Sequence, residues 1–389
     1  MPQVDKLDRG LCVRILYLTD NNSVHNRRIL EKLAFARHEV WSWNLTATHA
    51  SELPRGVQSI VSTKSVGRGA APGQYRKLLP QFQSVLKEIR PALVHAGPIQ
   101  SGGYLTALAD FHPMLLVSWG SDLLIEAERN LEWKQATELA LRKADAFYCE
   151  CGPVRDKANS FRKFSDSQIV QFPWGVKQGM FSPVGPLPPS DKYVRRAGTS
   201  TFIYTRSYDP LYGTDVLLDA FLRARSANPS LRLLLVGNGI HDRSLKRFIE
   251  THDLNDAVQL VGPQSMEEMP MWFRAVDAYV SCAKSDGSSI SLLEAMSTGL
   301  PVIVTDIPSN REWVSEPENG YLAPAGSPQG VADRMLQVAK LTPQEREEIS
   351  ERNRRVVAKR ADWDKNFPRL LEMYERLAGG LARTGLVAR

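Results

Sequence analysis

Short runs of β-type residues alternate with helical patterns along the chain, and this alternation constrains the fold more than any other feature of the sequence. In the first half, the predicted strands are 13–18, 38–43, 92–96, 114–119, 146–149 and 168–172. Helical patterns lie between them, at 26–36, 74–89 and 127–143. Strands that are separated by helices pair in parallel and are covered on both faces, so we predict a doubly wound α/β sheet.

A proline-rich segment interrupts this alternation near the middle of the chain. Residues 182–200, SPVGPLPPSDKYVRRAGTS, contain four prolines and no apolar period, and we interpret their centre, 186–199, as a linker. The alternation then resumes, with predicted strands at 201–205, 231–236, 257–261, 277–281 and 301–305 and helices at 213–225 and 242–252. We therefore predict two doubly wound domains, 1–185 and 200–345, facing a cleft, and a helical tail, 346–389, that packs back on the first domain.

Composition and charge limit the class of protein. The 389 residues are 43% hydrophobic and 24% charged, which is typical of a globular protein with two domains. No apolar run approaches the roughly 20 residues that span a bilayer, and the N-terminus does not resemble a signal peptide, so we predict a cytoplasmic protein. The net charge of +6 favours anionic partners, although an ordinary basic surface is the alternative. The basic run 352–360 contains no aromatic residues, which disfavours nucleic acid as a partner.

One segment of the first domain is a candidate for membrane contact. Residues 67–90 have a glycine-rich beginning, followed by a helical pattern of basic and apolar residues. Such a helix can lie on an anionic bilayer, so we predict peripheral contact with the inner face of the membrane. An ordinary surface helix is the alternative.

The loop 285–299, SDGSSISLLEAMSTG, carries the main signal for a functional site. It follows a predicted strand and enters a helix, so free backbone N–H groups and the positive end of the helix dipole favour an anion such as diphosphate. Glu294, one turn into the helix, can accept hydrogen bonds from vicinal hydroxyls such as those of ribose. The small residues that let a phosphate approach the backbone are Gly287, Ser288, Ser289, Ile290 and Ser291.

A structural explanation of the same loop stays open at this point. Ser291 and Glu294 have the spacing of a capping box, in which both side chains satisfy the helix's own N–H groups. Asp286 before Gly287 is also typical of a turn. Capping gives Asp286 no special role, whereas an anion site uses all of these residues.

The extended segment 285–306, SDGSSISLLEAMSTGLPVIVTD, resembles the signature of the large glycosyltransferase family of GT-B fold called family 4. That signature has an acidic residue, seven others, a Glu within LEAM, and then G-x-P-V. Further segments resemble the family in chain order: WGVKQGMFSP at 174–183, VGNG at 236–239, VQLVGP at 258–263, SNREWV at 309–314 and NGYLA at 319–323.

The resemblance implies two tandem Rossmann-like domains and a retaining, metal-independent glycosyltransferase. The second domain is expected to bind a nucleotide-sugar, with a UDP-sugar as the leading candidate. The first is expected to bind the acceptor, which can be a lipid-linked or cell-surface glycan. No cofactor is expected, because the nucleotide-sugar is a substrate. Neither the C-x-C at Cys149 and Cys151 nor the D-x-D at 362–364 has the context of a metal site.

The resemblance also assigns roles to residues. Glu294 would hold the donor ribose, and Asp286 would lie near the donor sugar and the diphosphate. The amides of 288–291 would contact phosphate, and Arg206 matches the family's diphosphate-binding arginine. Gly237 and Gly262 lie in the two glycine turns of the donor site.

The chain departs from the family pattern at several positions. Asp286 stands where Glu is more common, and Tyr212 occupies the position of a family lysine. Trp119 stands where many members have a histidine, which leaves Asp122 as the first-domain candidate for catalysis. His25 and His95 are further candidates at strand ends, although a structural role is the alternative for each.

Three further functions remain compatible with the sequence. A nucleotide-sugar epimerase of the same architecture would rearrange the donor without an acceptor. A non-catalytic module would bind a nucleotide-sugar without turnover, and a degenerate transferase would serve as a scaffold.

Overall fold

Both halves of the chain fold around a parallel sheet covered by helices. The computed structural model describes residues 12–20, 24–48, 52–67 and 69–383. One compact unit comprises the residues up to Phe172 together with those from Asn366 onward, and the second comprises Pro173–Lys365. The predicted α/β class with two tandem Rossmann-like sheets is confirmed.

The first unit contains a seven-stranded sheet. Its strands are β1 (Arg14–Thr19), β2 (Glu39–Asn44), β3 (Val57–Ile60), β4 (Leu93–Ala96), β5 (Met114–Val117), β6 (Ala146–Cys149) and β7 (Ile169–Gln171). They are ordered β3-β2-β1-β4-β5-β6-β7, and neighbouring strands are parallel. Every residue of β4, β5 and β6 is buried, as expected for parallel strands that are covered on both faces.

Helices of the first unit connect these strands. They are α1 (Val24–Phe35), α2 (Pro72–Tyr75), α3 (Leu79–Ile89), α4 (Tyr104–Leu108), α5 (Ser121–Leu124), α6 (Leu131–Lys143) and α7 (Gly152–Phe161).

The second unit contains a six-stranded sheet. Its strands are β8 (Ser200–Tyr204), β9 (Leu231–Val236), β10 (Val258–Gly262), β11 (Ala278–Ser281), β12 (Val302–Thr305) and β13 (Tyr321–Ala323). They are ordered β10-β9-β8-β11-β12-β13, again with parallel neighbours. The direction of winding therefore reverses between β8 and β11, as it does between β1 and β4 in the first sheet. Such a switch point is where open α/β sheets bind ligands.

The remaining helices follow in the second half. They are α8 (Thr214–Ala227), α9 (Asp242–Thr251), α10 (Met269–Arg274), α11 (Ile290–Ser297), α12 (Pro308–Arg311), α13 (Pro328–Ala339), α14 (Pro343–Arg360), α15 (Trp363–Asn366) and α16 (Pro368–Arg383).

The predicted linker, 186–199, lies within the second unit, so the unit boundary falls at Phe172 rather than near 185. The residues just before the linker are held on the second unit by Arg274, whose guanidinium donates hydrogen bonds to the carbonyls of Met180 and Ser182, each at 2.8 Å. Arg195 within the segment pairs with Asp277. Polar contacts thus anchor a segment that has no apolar periodicity. A search for hydrophobic patterns does not detect such contacts.

The helical tail predicted for 346–389 is divided between the two units. Helix α14 packs on α11 and buries Ile349, Asn353 and Val357 within the second unit. The Asn353 side chain donates a hydrogen bond to the Leu300 carbonyl at 2.8 Å. The tail of the first unit begins only at Asn366, and α16 then packs against β4 and β7.

The segment 67–90 turns its apolar side chains into the core of the first unit. It forms α2, a short 3₁₀ turn and α3, with Pro80 in the first turn of α3. The buried residues are Tyr75, Leu78, Phe82, Val85 and Ile89. In the described part of the chain, no helix combines the length and the apolar character that crossing a bilayer requires.

Candidate functional site

The candidate site of the second unit lies at the carboxyl ends of β8 and β11. Arg206 follows β8, and the loop that begins at Asp286 follows β11 and leads into α11. Because β8 and β11 are neighbours with parallel strands, their carboxyl ends meet at the same edge of the sheet. The topology therefore brings together residues that are 80 positions apart in the sequence, at the switch point.

The Arg206 guanidinium connects the loop to the first turn of α11. Its Nη2 lies 2.8 Å from the Oδ2 atom of Asp286, and the two side chains are only 12% and 16% exposed. Its Nη1 donates hydrogen bonds to the hydroxyls of Ser289, at 3.0 Å, and Ser291, at 3.4 Å. Arg206, Asp286 and the two serines therefore form one polar cluster at the N-terminus of α11.

The guanidinium still has an unused donor. Its Nε atom is buried and, among the described residues, has no hydrogen-bond partner. A guanidinium carries five N–H donors in a fixed plane, and an unsatisfied buried donor costs about 1–3 kcal/mol. An acceptor that reached this donor would remove that cost.

The two charges of the cluster affect each other. Burial raises the pKa of Asp286 above its usual value, while Arg206, the amide of Gly287 and the hydroxyl of Ser289 oppose that rise. Desolvation lowers the pKa of Arg206, but the Asp286 charge and nearby tyrosines outweigh this effect and leave it above the usual value. The guanidinium is therefore charged at every physiological pH, and it is the permanent cation of this cluster.

The capping box expected at Ser291 and Glu294 is wrong, because α11 begins earlier than that assignment requires. Ser289 is the N-cap, and its hydroxyl accepts a hydrogen bond from the amide of Leu292 at 3.4 Å. Ser291 lies inside the helix, where it exchanges a hydrogen bond with the hydroxyl of Tyr279 at 2.8 Å. Leu292 occupies the N3 position that a capping box gives to an acidic residue. Glu294 lies one turn into α11, with its side chain partly exposed.

The phosphate-approach segment predicted at Gly287, Ser288, Ser289, Ile290 and Ser291 forms the entry to this helix. Gly287 and the serines are buried, and Ile290 is partly buried. Their backbone lies at the positive end of α11, beside the Arg206 guanidinium. This placement agrees with the predicted anion site, whereas the ribose role of Glu294 stays a prediction.

Gly237 and Gly262 lie together beside Arg206. The amide of Gly237 donates a hydrogen bond to the carbonyl of Gly262 at 3.0 Å. Gly237 has a φ of 137°, and a Cβ atom there would lie 3.2 Å from the carbonyl oxygen of Arg206. The carboxyl ends of β9 and β10 are thus glycine turns at the same edge of the sheet as the Arg206 cluster.

Tyr212 and Tyr279 are the residues of this cluster whose roles the sequence did not reveal. The Cζ atom of Arg206 lies 4.2 Å from the ring centroid of Tyr212. Tyr279 points its hydroxyl at Ser291 from within β11. An aromatic residue in a buried strand is normally part of the core, so no pattern in the sequence separated Tyr279 from other core residues.

Asp122 lies in α5 of the first unit, where its carboxylate holds two loops together. Its Oδ1 atom accepts hydrogen bonds from the Ser118 hydroxyl, at 2.6 Å, and from the amides of Trp119, at 2.9 Å, and Leu123, at 3.0 Å. Its Oδ2 atom accepts one from the amide of Ile99 at 3.1 Å. Burial raises the pKa of Asp122, and these hydrogen bonds oppose that rise. The contacts account for Asp122 as a loop clamp, and its catalytic role stays a prediction.

Of the two histidine candidates of the first unit, the structure describes the side chain of His95 but not that of His25. His95 is 1% exposed, and its Nδ1 atom shares a hydrogen bond with the hydroxyl of Tyr374. Burial lowers the pKa of His95 to about 3, so the ring is neutral at physiological pH. This is a core histidine. His25 has its backbone in α1, and its side chain lies outside the described part of the structure.

Comparisons with known proteins identify the family of the chain. A family model described as glycosyl transferases group 1 matches residues 190–356, and a model described as glycosyl transferase 4-like matches residues 14–151. A phosphatidyl-myo-inositol mannosyltransferase of Mycobacterium tuberculosis is 28% identical over 226 residues, which are 56% of this chain and 56% of that protein. The chain matches between 22% and 56% of the length of the curated relatives.

Solved structures share the fold over nearly the whole chain. Sucrose-phosphate synthase from Thermosynechococcus elongatus has a TM-score of 0.77 at 18% identity, covering 94% of this chain and 99% of that one. HepE from Anabaena, in complex with UDP-glucose, has a TM-score of 0.72 at 17% identity, covering 95% and 100%. With both halves matched by family models and both sheets matched by these folds, the chain belongs to the group 1 glycosyltransferases of family 4, with the GT-B fold.

Proposed function

We propose that this glycosyltransferase moves a sugar from a UDP-sugar to a glycan or lipid-linked acceptor, with retention at the anomeric carbon and without a metal. The observation that carries the proposal is the buried Arg206 guanidinium at the N-terminus of α11, with its Nε donor unused among the described residues. HepE was solved with UDP-glucose, which supports UDP as the nucleotide to test first.

The second unit supplies stabilisation of the leaving group. When the glycosidic bond to the donor breaks, negative charge develops on the departing diphosphate. Arg206 and the amides that precede α11 are already oriented before the reaction, and oriented donors stabilise developing charge without reorganising. Glu294 binds the ribose hydroxyls, and Asp286 lies beside the sugar and fixes the guanidinium.

Metal independence is supported by the permanent cation in the cluster. Arg206 supplies the charge that a divalent ion would otherwise provide to a diphosphate. Of the D-x-D pair, Asp362 accepts hydrogen bonds from the amides of Asp364 and Lys365, at 3.0 and 3.2 Å, and so caps α15. Transfer should therefore proceed at an unchanged rate in EDTA.

The first unit is proposed to bind the acceptor. One relative is named as a phosphatidyl-myo-inositol mannosyltransferase, which supports including lipid acceptors in the test. Because the apolar side chains of 67–90 are buried, peripheral membrane contact through this segment would depend on the exposed Arg76, Lys77 and Lys87. Such contact should weaken with salt and should require anionic lipid.

The decisive experiment measures donor binding by calorimetry with UDP, UDP-sugars and 2′-deoxy-UDP. Arg206→Ala should weaken UDP binding about a hundred-fold, since a hydrogen bond to a charged oxygen contributes about 1.5–3 kcal/mol, whereas Arg223→Ala, an exposed arginine on α8, should leave it unchanged. Glu294→Gln should weaken UDP about ten-fold or more, because a hydrogen bond to a charged acceptor contributes about 1.5–3 kcal/mol. The variant should also lose the preference of the wild type for UDP over 2′-deoxy-UDP.

If the wild type binds none of a panel of UDP- and GDP-sugars, the proposal is wrong. If it binds them, product analysis separates the remaining functions. Conversion of UDP-GlcNAc without an acceptor would identify an epimerase, and binding without any turnover would identify a binding module or scaffold. Retention requires that the new linkage has the anomeric configuration of the donor, which NMR of the product measures.

A further inference from the structure

The Arg206 guanidinium lies over the aromatic ring of Tyr212. The distance from its Cζ atom to the ring centroid is 4.2 Å, well inside the range of about 6 Å over which a cation and a ring attract each other. Tyr212 is partly buried and ends the 3₁₀ turn Pro210–Tyr212, between β8 and α8.

This turn is fixed by contacts on both of its sides. The Tyr204 hydroxyl donates a hydrogen bond to the Tyr212 carbonyl at 3.2 Å, and the amide of Lys284 donates one to the Leu211 carbonyl at 2.8 Å. Gly213 has a φ of 64°, and a Cβ atom there would lie 2.2 Å from the carbonyl oxygen of Cys282. The turn therefore packs against the end of β11, and these contacts fix the backbone that carries the Tyr212 ring.

The ring and the polar partners of Arg206 use different parts of the guanidinium. Asp286 and Ser289 contact Nη2 and Nη1, which lie at the edge of the planar group. The Tyr212 ring attracts the cation without accepting any of its N–H groups, and Nε has no partner among the described residues. A second carboxylate in place of the ring would also hold the cation, but it would compete with an entering anion for the remaining donors.

We propose that Tyr212 is a positioning residue for the diphosphate of the donor. Its ring supports the Arg206 guanidinium from the face and thereby keeps Nε and the one remaining N–H of Nη2 available to the phosphate oxygens. The inference rests on the proposed function, since it names a further residue of the same donor site. It assigns to the ring of Tyr212, rather than to its hydroxyl, a share of the affinity for diphosphate and none of the affinity for the nucleoside.

The test compares the binding of UDP with that of uridine by calorimetry. Tyr212→Phe keeps the ring and should bind both as the wild type does. Tyr212→Leu should bind UDP about ten-fold more weakly, from the usual strength of a partly desolvated cation–π pair, and uridine without change. With Arg206 already replaced by Met, the further change Tyr212→Leu should have no effect on UDP, because the contact it removes is gone.

Each contrary outcome is distinguishable. Equal losses for UDP and uridine in Tyr212→Leu would show a general structural role and overturn the inference, as would a loss for UDP that persists in the Arg206→Met background. A loss in Tyr212→Phe would assign the effect to the hydroxyl instead and would also overturn it. If Tyr212→Leu fails to fold, Tyr212→Met fills the same space without a ring and is judged by the same comparison. Failure of the wild type to bind UDP refutes the proposed function itself.

Discussion

Replacing Asp122 by Asn tests whether this buried carboxylate clamps loops or takes part in catalysis. Asn is isosteric and has one acceptor oxygen, which can retain the three hydrogen bonds that Asp122 Oδ1 accepts from Ser118, Trp119 and Leu123. Its amide nitrogen then faces the amide of Ile99, 3.1 Å from the atom it replaces. The variant therefore loses one hydrogen bond and opposes two buried donors.

The expected cost follows from these contacts. One lost hydrogen bond contributes about 1 kcal/mol, and a buried donor without a partner costs about 1–3 kcal/mol, so Asp122→Asn should lower the free energy of unfolding by about 2–4 kcal/mol. Asp122→Ala loses all four hydrogen bonds and should cost more. Denaturant unfolding measures both values, and the kcat of the folded fraction should stay close to that of the wild type.

The pH dependence gives an independent check. Burial raises the folded-state pKa of Asp122 above the unfolded value of 3.8. At pH values in the window between the unfolded and the folded pKa, the folded state therefore binds more protons than the unfolded state. The stability contributed by this group is then largest below that window and falls as the pH rises through the folded pKa. The penalty of Asp122→Asn relative to the wild type should therefore shrink as the pH rises above about 4. Unchanged stability together with a loss of kcat of a hundred-fold or more would refute the clamp and support catalysis.

Three further substitutions test the elements around the two sites. Ser289→Ala removes the N-cap of α11 and should lower the free energy of unfolding by about 1 kcal/mol; no loss would contradict the cap assignment. Gly213→Ala places a Cβ atom against the Cys282 carbonyl at a positive φ, so it should lower the free energy of unfolding by more than the roughly 1–2 kcal/mol of left-handed strain alone. It should also weaken UDP binding, and wild-type affinity in calorimetry would show that the turn does not contribute to the proposed donor site. Tyr374→Phe leaves the Nδ1 atom of His95 without its hydroxyl partner and should cost about 1–3 kcal/mol in thermal or denaturant unfolding, with UDP binding unchanged.

The sequence was a good guide to the interior of each sheet, and it located two of the four edge strands, β7 and β10. Strands such as β4, β5 and β6 are buried on both faces, so they appear as continuous apolar runs that a search for strands detects. The short edge strands β3 and β13 were missed. Of the four residues of β3, none is buried, and β13 has only three residues. An edge strand needs few apolar residues, because backbone hydrogen bonds to the adjacent strand hold it in place.

The unit boundaries could not be predicted, because they depend on contacts between distant residues. The chain leaves the first unit at Phe172 and returns at Asn366. Arg274 holds the segment near Ser182 on the second unit through backbone carbonyls, which are the same in every sequence. Asn353 holds α14 to the carbonyl of Leu300 in the same way. Neither contact has a local sequence signal.

The sequence identified residues that the structure brings together in one cluster, but it did not give the geometry of that cluster. The order of motifs identified Arg206, Asp286 and the residues before α11, and the parallel sheet then brings them together. The sequence placed the helix cap two residues too late, since Ser289 and Ser291 are equally good caps by type. From the sequence, Tyr212 was noted only because it occupies the position of a family lysine. That its ring supports Arg206 depends on the turn fixed by Gly213, which no spacing reveals.

The first six strands have the same order in both sheets, but the groups described beside their switch points differ. Beside the switch of the first sheet, burial depresses the pKa of His95 to about 3 and raises that of Tyr17, so both side chains are neutral. At the switch of the second sheet, the ion pair with Asp286 keeps Arg206 charged although it is nearly buried. The topology gives both sheets an edge where the carboxyl ends of parallel strands meet. Binding a diphosphate also requires a cation that stays charged when it is buried. The chain places such a cation, paired with Asp286, between β8 and α11, and this is why the proposed function assigns the donor site to the second unit.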